Sequence, residues 1–208
     1  LQRGHQRASL QEVPDVCVIN TCSVTDAADH KDRQTIHQLH RKYPNAIIIV
    51  TGCYAQLQPE QIAQIEGVDY VLGQNEKYSI TQLVNELCDS LEDASLQDAA
   101  SGYSLEAQKI RVGNIREVEE FHGVHSADDR TRCFIKVQDG CNYFCTYCTI
   151  PYARGKSRNP SIKEIVKDAQ EALKQGAKEL IITGVNIGDF GRSTGESFIE
   201  LLRALDSL

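Results

Sequence analysis

The chain has no methionine, at its start or anywhere else in its 208 residues. It also lacks any apolar run approaching the ~20 residues that a membrane-crossing helix needs. Its opening, Leu1-Gln2-Arg3-Gly4-His5, has none of the layout of a secretory signal. The sequence therefore reads as an excised piece of a longer protein that works without a membrane. An excess of positive charge is missing too: 22 Lys and Arg stand against 29 Asp and Glu, for a net charge of −7. That balance argues against a surface coated in nucleic acid, yet it leaves room for a local basic patch. With 41% hydrophobic and 25% charged residues, the composition is that of a soluble globular chain of one large or two small domains. Cysteine, by contrast, is abundant, with eight residues. Their grouping in motifs fits metal ligation in a reducing cytoplasm better than secreted disulfides.

Three of the eight fall in Gly140-Cys141-Asn142-Tyr143-Phe144-Cys145-Thr146-Tyr147-Cys148, a C-x3-C-x2-C spacing. Thiolates are the usual ligands of iron–sulfur clusters, and three on one loop can hold three corners of a [4Fe-4S] cube. With no fourth protein ligand nearby, one iron stays open to a small chelating molecule. The rival is zinc, whose structural sites commonly use two C-x2-C pairs or Cys and His pairs. Here the single C-x2-C has no second pair and no H-x3-5-H after it. Ligand count favours the cluster.

The first part of the chain alternates strand and helix signals. Val16–Asn20 reads as a strand. A helix over about Asp26–Arg41 follows, capped by Thr25 and stopped by Pro44. Ala46–Thr51 is a continuously apolar strand, as in a parallel sheet covered on both faces. A short helix at Pro59–Ile65, a strand at Asp69–Leu72 and a helix at Ser79–Leu91 complete a βαβαβα unit. From 92 to 129 the apolar periodicity fades into a polar linker, with a strand candidate at Lys109–Val112. The last part opens with the strand Cys133–Val137. A helix behind the Ser161/Glu164 capping box follows, then the strand Glu179–Thr183 and a helix from Ser197. The expected architecture is α/β: a parallel-sheet domain over 1–91, then the first two β/α units of a partial TIM barrel over 130–208. Ligands of such folds bind at the carboxyl ends of strands, where Cys22, Cys53, the three-cysteine loop and the 184–191 turn all fall.

Cys22 and Cys53 end strands that a βαβ unit sets side by side, about 5 Å apart, so one metal cluster could take both. Two ordinary buried thiols would satisfy the same positions. Cys17 lies an odd number of residues from Cys22 and points to the opposite face. Cys133, in an apolar strand, and Cys88, on a helix face with Val84 and Leu91, are assigned with Cys17 to core packing. His30, His37 and His40 read as a solvated helix surface, and His122 and His125 fall in the linker.

Asn20-Thr21-Cys22-Ser23-Val24-Thr25 and Thr51-Gly52-Cys53-Tyr54-Ala55-Gln56 resemble the two later cysteine motifs of the radical SAM methylthiotransferase family. The run from Gly140-Cys141 to Arg154-Gly155-Lys156, with Thr183-Gly184-Val185-Asn186, is similar to that family's radical SAM domain. The resemblance implies two [4Fe-4S] clusters. Cys141, Cys145 and Cys148 would hold the one that binds S-adenosylmethionine (SAM). Cys22 and Cys53 would share the other with a cysteine upstream of this chain. It also implies that an electron cleaves SAM to a radical that takes hydrogen from carbon, after which sulfur is inserted and methylated. Gly184 and Asn186 become candidate SAM contacts, and Arg154, Lys156 and Arg158 candidate RNA or phosphate contacts, against the plainer reading of a solvated basic loop. Implied partners are tRNA, SAM and an electron donor such as flavodoxin or ferredoxin, in the cytoplasm. The residues around Cys22 and Cys148 resemble the branch that acts on threonylcarbamoyl-adenosine in tRNA. The alternatives are isopentenyl-adenosine in tRNA, an aspartate of a ribosomal protein and, from another class, a non-catalytic metal-binding module.

Overall fold

In the computed structural model, residues 5–9, 11–23, 25–94, 109–123 and 131–208 are described. They pack as two compact units, 1–115 and 116–208.

In the first unit four parallel strands lie side by side in the order β1 (Val16–Thr21), β2 (Ile47–Gly52), β3 (Tyr70–Leu72) and β4 (Ile110–Arg111). Because side chains alternate across a strand, β2 serves two cores. Ile48 and Val50 pack with Cys17, Ile19, Ile36, Tyr54 and Ile62. Ile49 packs on the other face with Tyr70, Leu72 and Leu83. This is why β2 is apolar throughout rather than alternating. Helix α1 (Asp26–Lys42) starts where expected: the Thr25 side chain caps it, accepting from the Ala28 amide. The anticipated Pro59 helix is present as α3 (Pro59–Ala63), and α4 spans Ile80–Ala94. A five-residue helix, α2 (Cys53–Leu57), was not foreseen and begins directly on Cys53. Strand β4 comes from the stretch read as a linker and adds the fourth strand of this sheet.

The second unit pairs β5 (Arg132–Gln138) with β6 (Glu179–Gly184) in parallel. Helix α5 (Ile150–Arg154) lies within the cysteine loop's return, α6 spans Ile162–Lys174 and α7 spans Phe198–Asp206. The capping box at Ser161 and Glu164 is formed, and Ser197 with Glu200 makes a second. Ile165, Ala169 and Ala172 of α6 and Leu201 of α7 bury against Cys133, Ile135 and Val137 of β5.

Cys17 and Cys133 are core residues. Cys88 is not. It is exposed, because the buried stripe of α4 runs through Leu83, with Ile80, Val84 and Leu87 packed around it, and Cys88 sits at the margin. His30 and His37 are exposed, while His125 lies outside the described residues.

Candidate metal centres

The first site is set by sheet register. Thr21 pairs with Gly52, so the residues that follow them, Cys22 and Cys53, leave adjacent strands at the same level. Gly52 makes the step from strand to helix in one residue, with φ of +103°. A Cβ there would lie 2.3 Å from the Thr21 carbonyl oxygen, so no other residue fits without displacing β1. Thr21, nearly fully buried, donates its hydroxyl to the Thr51 carbonyl at 2.6 Å and braces the same corner. The two thiols differ in surroundings. Cys22 is exposed, and its amide donates to Asp32 Oδ2 at 2.9 Å. Burial pushes the Asp32 carboxyl up, and the nearby Asp29 adds to this, while the Cys22 amide and Lys31 pull the other way without cancelling it. Cys53 is buried, and its sulfur accepts from Gln74 Nε2 at 3.4 Å.

The second site is a loop closed at its neck. Asp139 and Arg158 form an antiparallel bridge, with N···O distances of 3.0 and 2.9 Å. Gly140 has φ of +72°, and a Cβ there would fall 2.0 Å from the Lys156 carbonyl oxygen. Gln138, with no exposed surface, donates from Nε2 to the carbonyls of Asp139 and Gly140 and to Ser157 Oγ. Its Oε1 accepts from the Asn186 amide at 2.7 Å, tying the cysteine loop to the turn after β6. A second tie is Tyr143, whose hydroxyl donates to the buried Asp189 at 3.1 Å. Beyond the neck, Cys141 N donates to Gly155 O and Cys148 N to Cys145 O. Phe144, just before Cys145, holds φ of +46°, a strained conformation for a residue with a side chain.

Asp139 is also an ionic hub. Lys136, Arg154 and Arg158 lie 3.1, 3.4 and 3.7 Å from its carboxylate. Burial pushes its pKa up, but the three cations and the Lys136 hydrogen bond outweigh that and hold it below the usual carboxylate value. Arg158 is turned inward, donating also to the carbonyls of Glu120, Arg154 and Lys156. These contacts and the Asp139 ion pair hold it in the neck. Arg154 shares the hub, while Lys156 is exposed. Asn186, the candidate SAM contact, has its amide on Gln138 and its side chain on Asp189 Oδ2 at 3.0 Å. Gly184 closes β6, where a Cβ would meet Ile187 Cγ1 at 3.0 Å.

The donors suit iron–sulfur chemistry: all five thiols are free, and three share one pinned loop. Among the described residues, no three His, Cys, Asp or Glu side chains converge on a common metal position. Cys22 and Cys53 lie on neighbouring strand ends. Sequence reasoning missed Gln138, Asp139, Asn159 and Asp189, all polar and buried. Asn159 belongs with them because its Oδ1 accepts from Gly191 N and Ser193 Oγ, fixing the 190–195 turn.

Residues 1–73 match the uncharacterized protein family UPF0004, and residues 135–205 match the radical SAM superfamily. Over 99% of its length the chain is 37% identical to the threonylcarbamoyladenosine tRNA methylthiotransferase MtaB of Aquifex aeolicus, covering 47% of that protein. It is 30% identical over 93% of its length to the ribosomal protein uS12 methylthiotransferase RimO of Chloroflexus aurantiacus, covering 43% of it. It is 29% identical over its whole length to the tRNA-2-methylthio-N(6)-dimethylallyladenosine synthase of Clostridioides difficile, covering 42% of it. The chain thus spans less than half the length of these relatives.

Proposed function

A chain that joins a UPF0004 segment to a radical SAM segment belongs to the radical SAM methylthiotransferase family, and on that premise we propose that it methylthiolates threonylcarbamoyladenosine beside the anticodon of tRNA. The observation that carries the reaction type is the neck-closed loop at the carboxyl end of β5, with three free thiols on it. A [4Fe-4S] cluster held there by Cys141, Cys145 and Cys148 would, with SAM bound, supply one-electron radical chemistry able to take hydrogen from an adenine carbon. The protein's part is positioning. Cys141, Cys145 and Cys148 hold that cluster, and the Gln138 and Asp139 neck fixes their loop against the strand ends. Gly184 and Asn186 shape the turn proposed to meet SAM, with the Asn186 backbone N–H held by Gln138 and its side-chain NH2 by Asp189. Cys22 and Cys53 contribute two ligands to the sulfur-handling cluster.

An anticodon-proximal base sits in a single-stranded loop, so it can be splayed out and gripped by its edges. Lys156, exposed on the cysteine loop, is the basic residue there that is open to a phosphate. The substrate assignment rests on the higher identity to the threonylcarbamoyladenosine relative than to the other two. An electron donor of the flavodoxin or ferredoxin type and a cytoplasmic setting follow from the same reading. Among the described residues no helix is long and apolar enough to cross a membrane.

Mass spectrometry of digested bulk tRNA tests the substrate. Deleting the gene removes the methylthio form of threonylcarbamoyladenosine and leaves the isopentenyl series intact. Loss of the isopentenyl product instead moves the protein to that branch. Unchanged tRNA with an unmodified ribosomal-protein aspartate moves it to the third.

A further inference from the structure

Among the described residues, the Cys53 sulfur is the one cysteine sulfur of the two sites with a side-chain hydrogen-bond donor. Gln74, 8% exposed, follows β3 and directs Nε2 at that sulfur over 3.4 Å. The orientation of its amide is fixed by a second contact. Lys77 Nζ lies 2.8 Å from Gln74 Oε1, and an ammonium can only donate, so the oxygen must face Lys77 and the NH2 must face the sulfur. The Gln74 backbone is held as well, its amide donating to Gln56 Oε1 at 2.8 Å, while Gln56 Nε2 donates to the Gly113 carbonyl at 3.0 Å. Cation, amide and sulfur therefore form a polarised chain: the Lys77 charge draws electron density toward Oε1 and strengthens the N–H donors at the far end. A buried, doubly anchored glutamine aimed at a sulfur is more than core filling requires, since an apolar side chain would fill the same space without needing partners.

We propose that Gln74, backed by Lys77, is a positioning residue that orients the Cys53 thiolate and raises the reduction potential of the cluster it ligates. Hydrogen bonds to ligating sulfur withdraw charge from the cluster and favour its reduced form. Cys22, exposed and contacted at its backbone amide, lacks such a side-chain donor among the described contacts, so the two ligands are electronically unequal. The inference rests on the reading of Cys53 as a cluster ligand.

The test uses the full-length protein carrying Cys141→Ala, Cys145→Ala and Cys148→Ala, so that only the UPF0004-unit cluster is reconstituted. Its midpoint potential is read by EPR-monitored redox titration, with iron content and circular dichroism as controls. Gln74→Leu shifts the potential to more negative values, and Lys77→Met shifts it the same way by less. An unshifted potential in a folded, iron-loaded Gln74→Leu variant overturns the proposal. Should Gln74→Leu fail to fold or load, Lys77→Met decides alone: a negative shift supports the proposal, and an unchanged or raised potential overturns it. A parent protein that binds no cluster removes the ligand reading itself, and the inference with it. That outcome is told apart because it appears before Gln74 is altered.

Discussion

The two cysteine sites solve one placement problem by different means. Cys22 and Cys53 are positioned by strand register, each sitting one residue beyond the Thr21–Gly52 pair. Their spacing is a property of the sheet, and the two sit 31 positions apart in sequence because a whole crossover helix lies between them. Cys141, Cys145 and Cys148 are positioned by a loop whose ends are clamped by Asp139, Gly140 and Arg158. In the first arrangement Cys53 is buried and Cys22 exposed. The second is open, with Cys145 exposed and the other two partly so. Register suits a site whose geometry must not change, and a clamped loop suits one that must stay accessible to a small molecule.

The largest effect that would sharpen this contrast is a division of labour. In the full-length protein, replacing Cys141, Cys145 and Cys148 by alanine abolishes formation of deoxyadenosine from SAM. Replacing Cys22 and Cys53 spares it and stops methylthiolation. Loss of deoxyadenosine in the second variant would show that the two sites do not act separately.

Next in size come the two anchors. Asp139→Ala strands three cations around a buried position, a change that costs about 3 kcal/mol. Gly52→Ala forces a side chain into a left-handed conformation against the β1 backbone, costing about 2 kcal/mol or more. Hydrogen exchange read segment by segment should place the first loss in the β5–β6 region and the second in β1 and β2. If Gly52→Ala instead loosened the 140–157 loop, the two sites would not be independently built.

Smallest is a pH effect confined to the second unit. Hydrogen bonds from the Ser161 hydroxyl and amide hold Glu164 below the usual glutamate value, and those of Ser197 do the same for Glu200. A depressed folded value means stability present above the ordinary glutamate range and lost as pH falls through the folded value. Acid should therefore fray the starts of α6 and α7 slightly. Glu164→Gln, which keeps one acceptor, should flatten that slope in a denaturation series below pH 5, about where a glutamate titrates. An unchanged slope would remove the capping carboxylates as its cause.

Much of the fold was legible because its signals are local. Thr25, Ser161 and the β-branched run before Gly52 each act on residues within one turn or one strand. The cysteine spacing was equally local. What escaped were residues whose meaning depends on distant partners. Gln138 reads as a strand-end polar residue until Asn186, 48 positions on, supplies its amide. Arg158 reads as a basic loop residue until the buried Asp139 draws it inward. Cys88 obeyed the helical arithmetic with Val84, but arithmetic fixes which residues share a stripe and not where the stripe ends. The α2 helix was invisible because five residues are too few for periodicity to show and because it has no capping side chain and, unlike α3, no Pro at its start.

The pairing of Asp139 with Arg158 has an entropic consequence. A free chain as long as 140–157 loses about 2–3 kcal/mol when its ends are brought together. Here β5 and the neck have already met that loss on folding, before anything occupies the loop. A ligand gripping Cys141, Cys145 and Cys148 has only the interior of the ring left to order. Cutting the chain once within the 140–157 stretch would leave the neck hydrogen bonds in place and yet turn one closed ring into two independent tails.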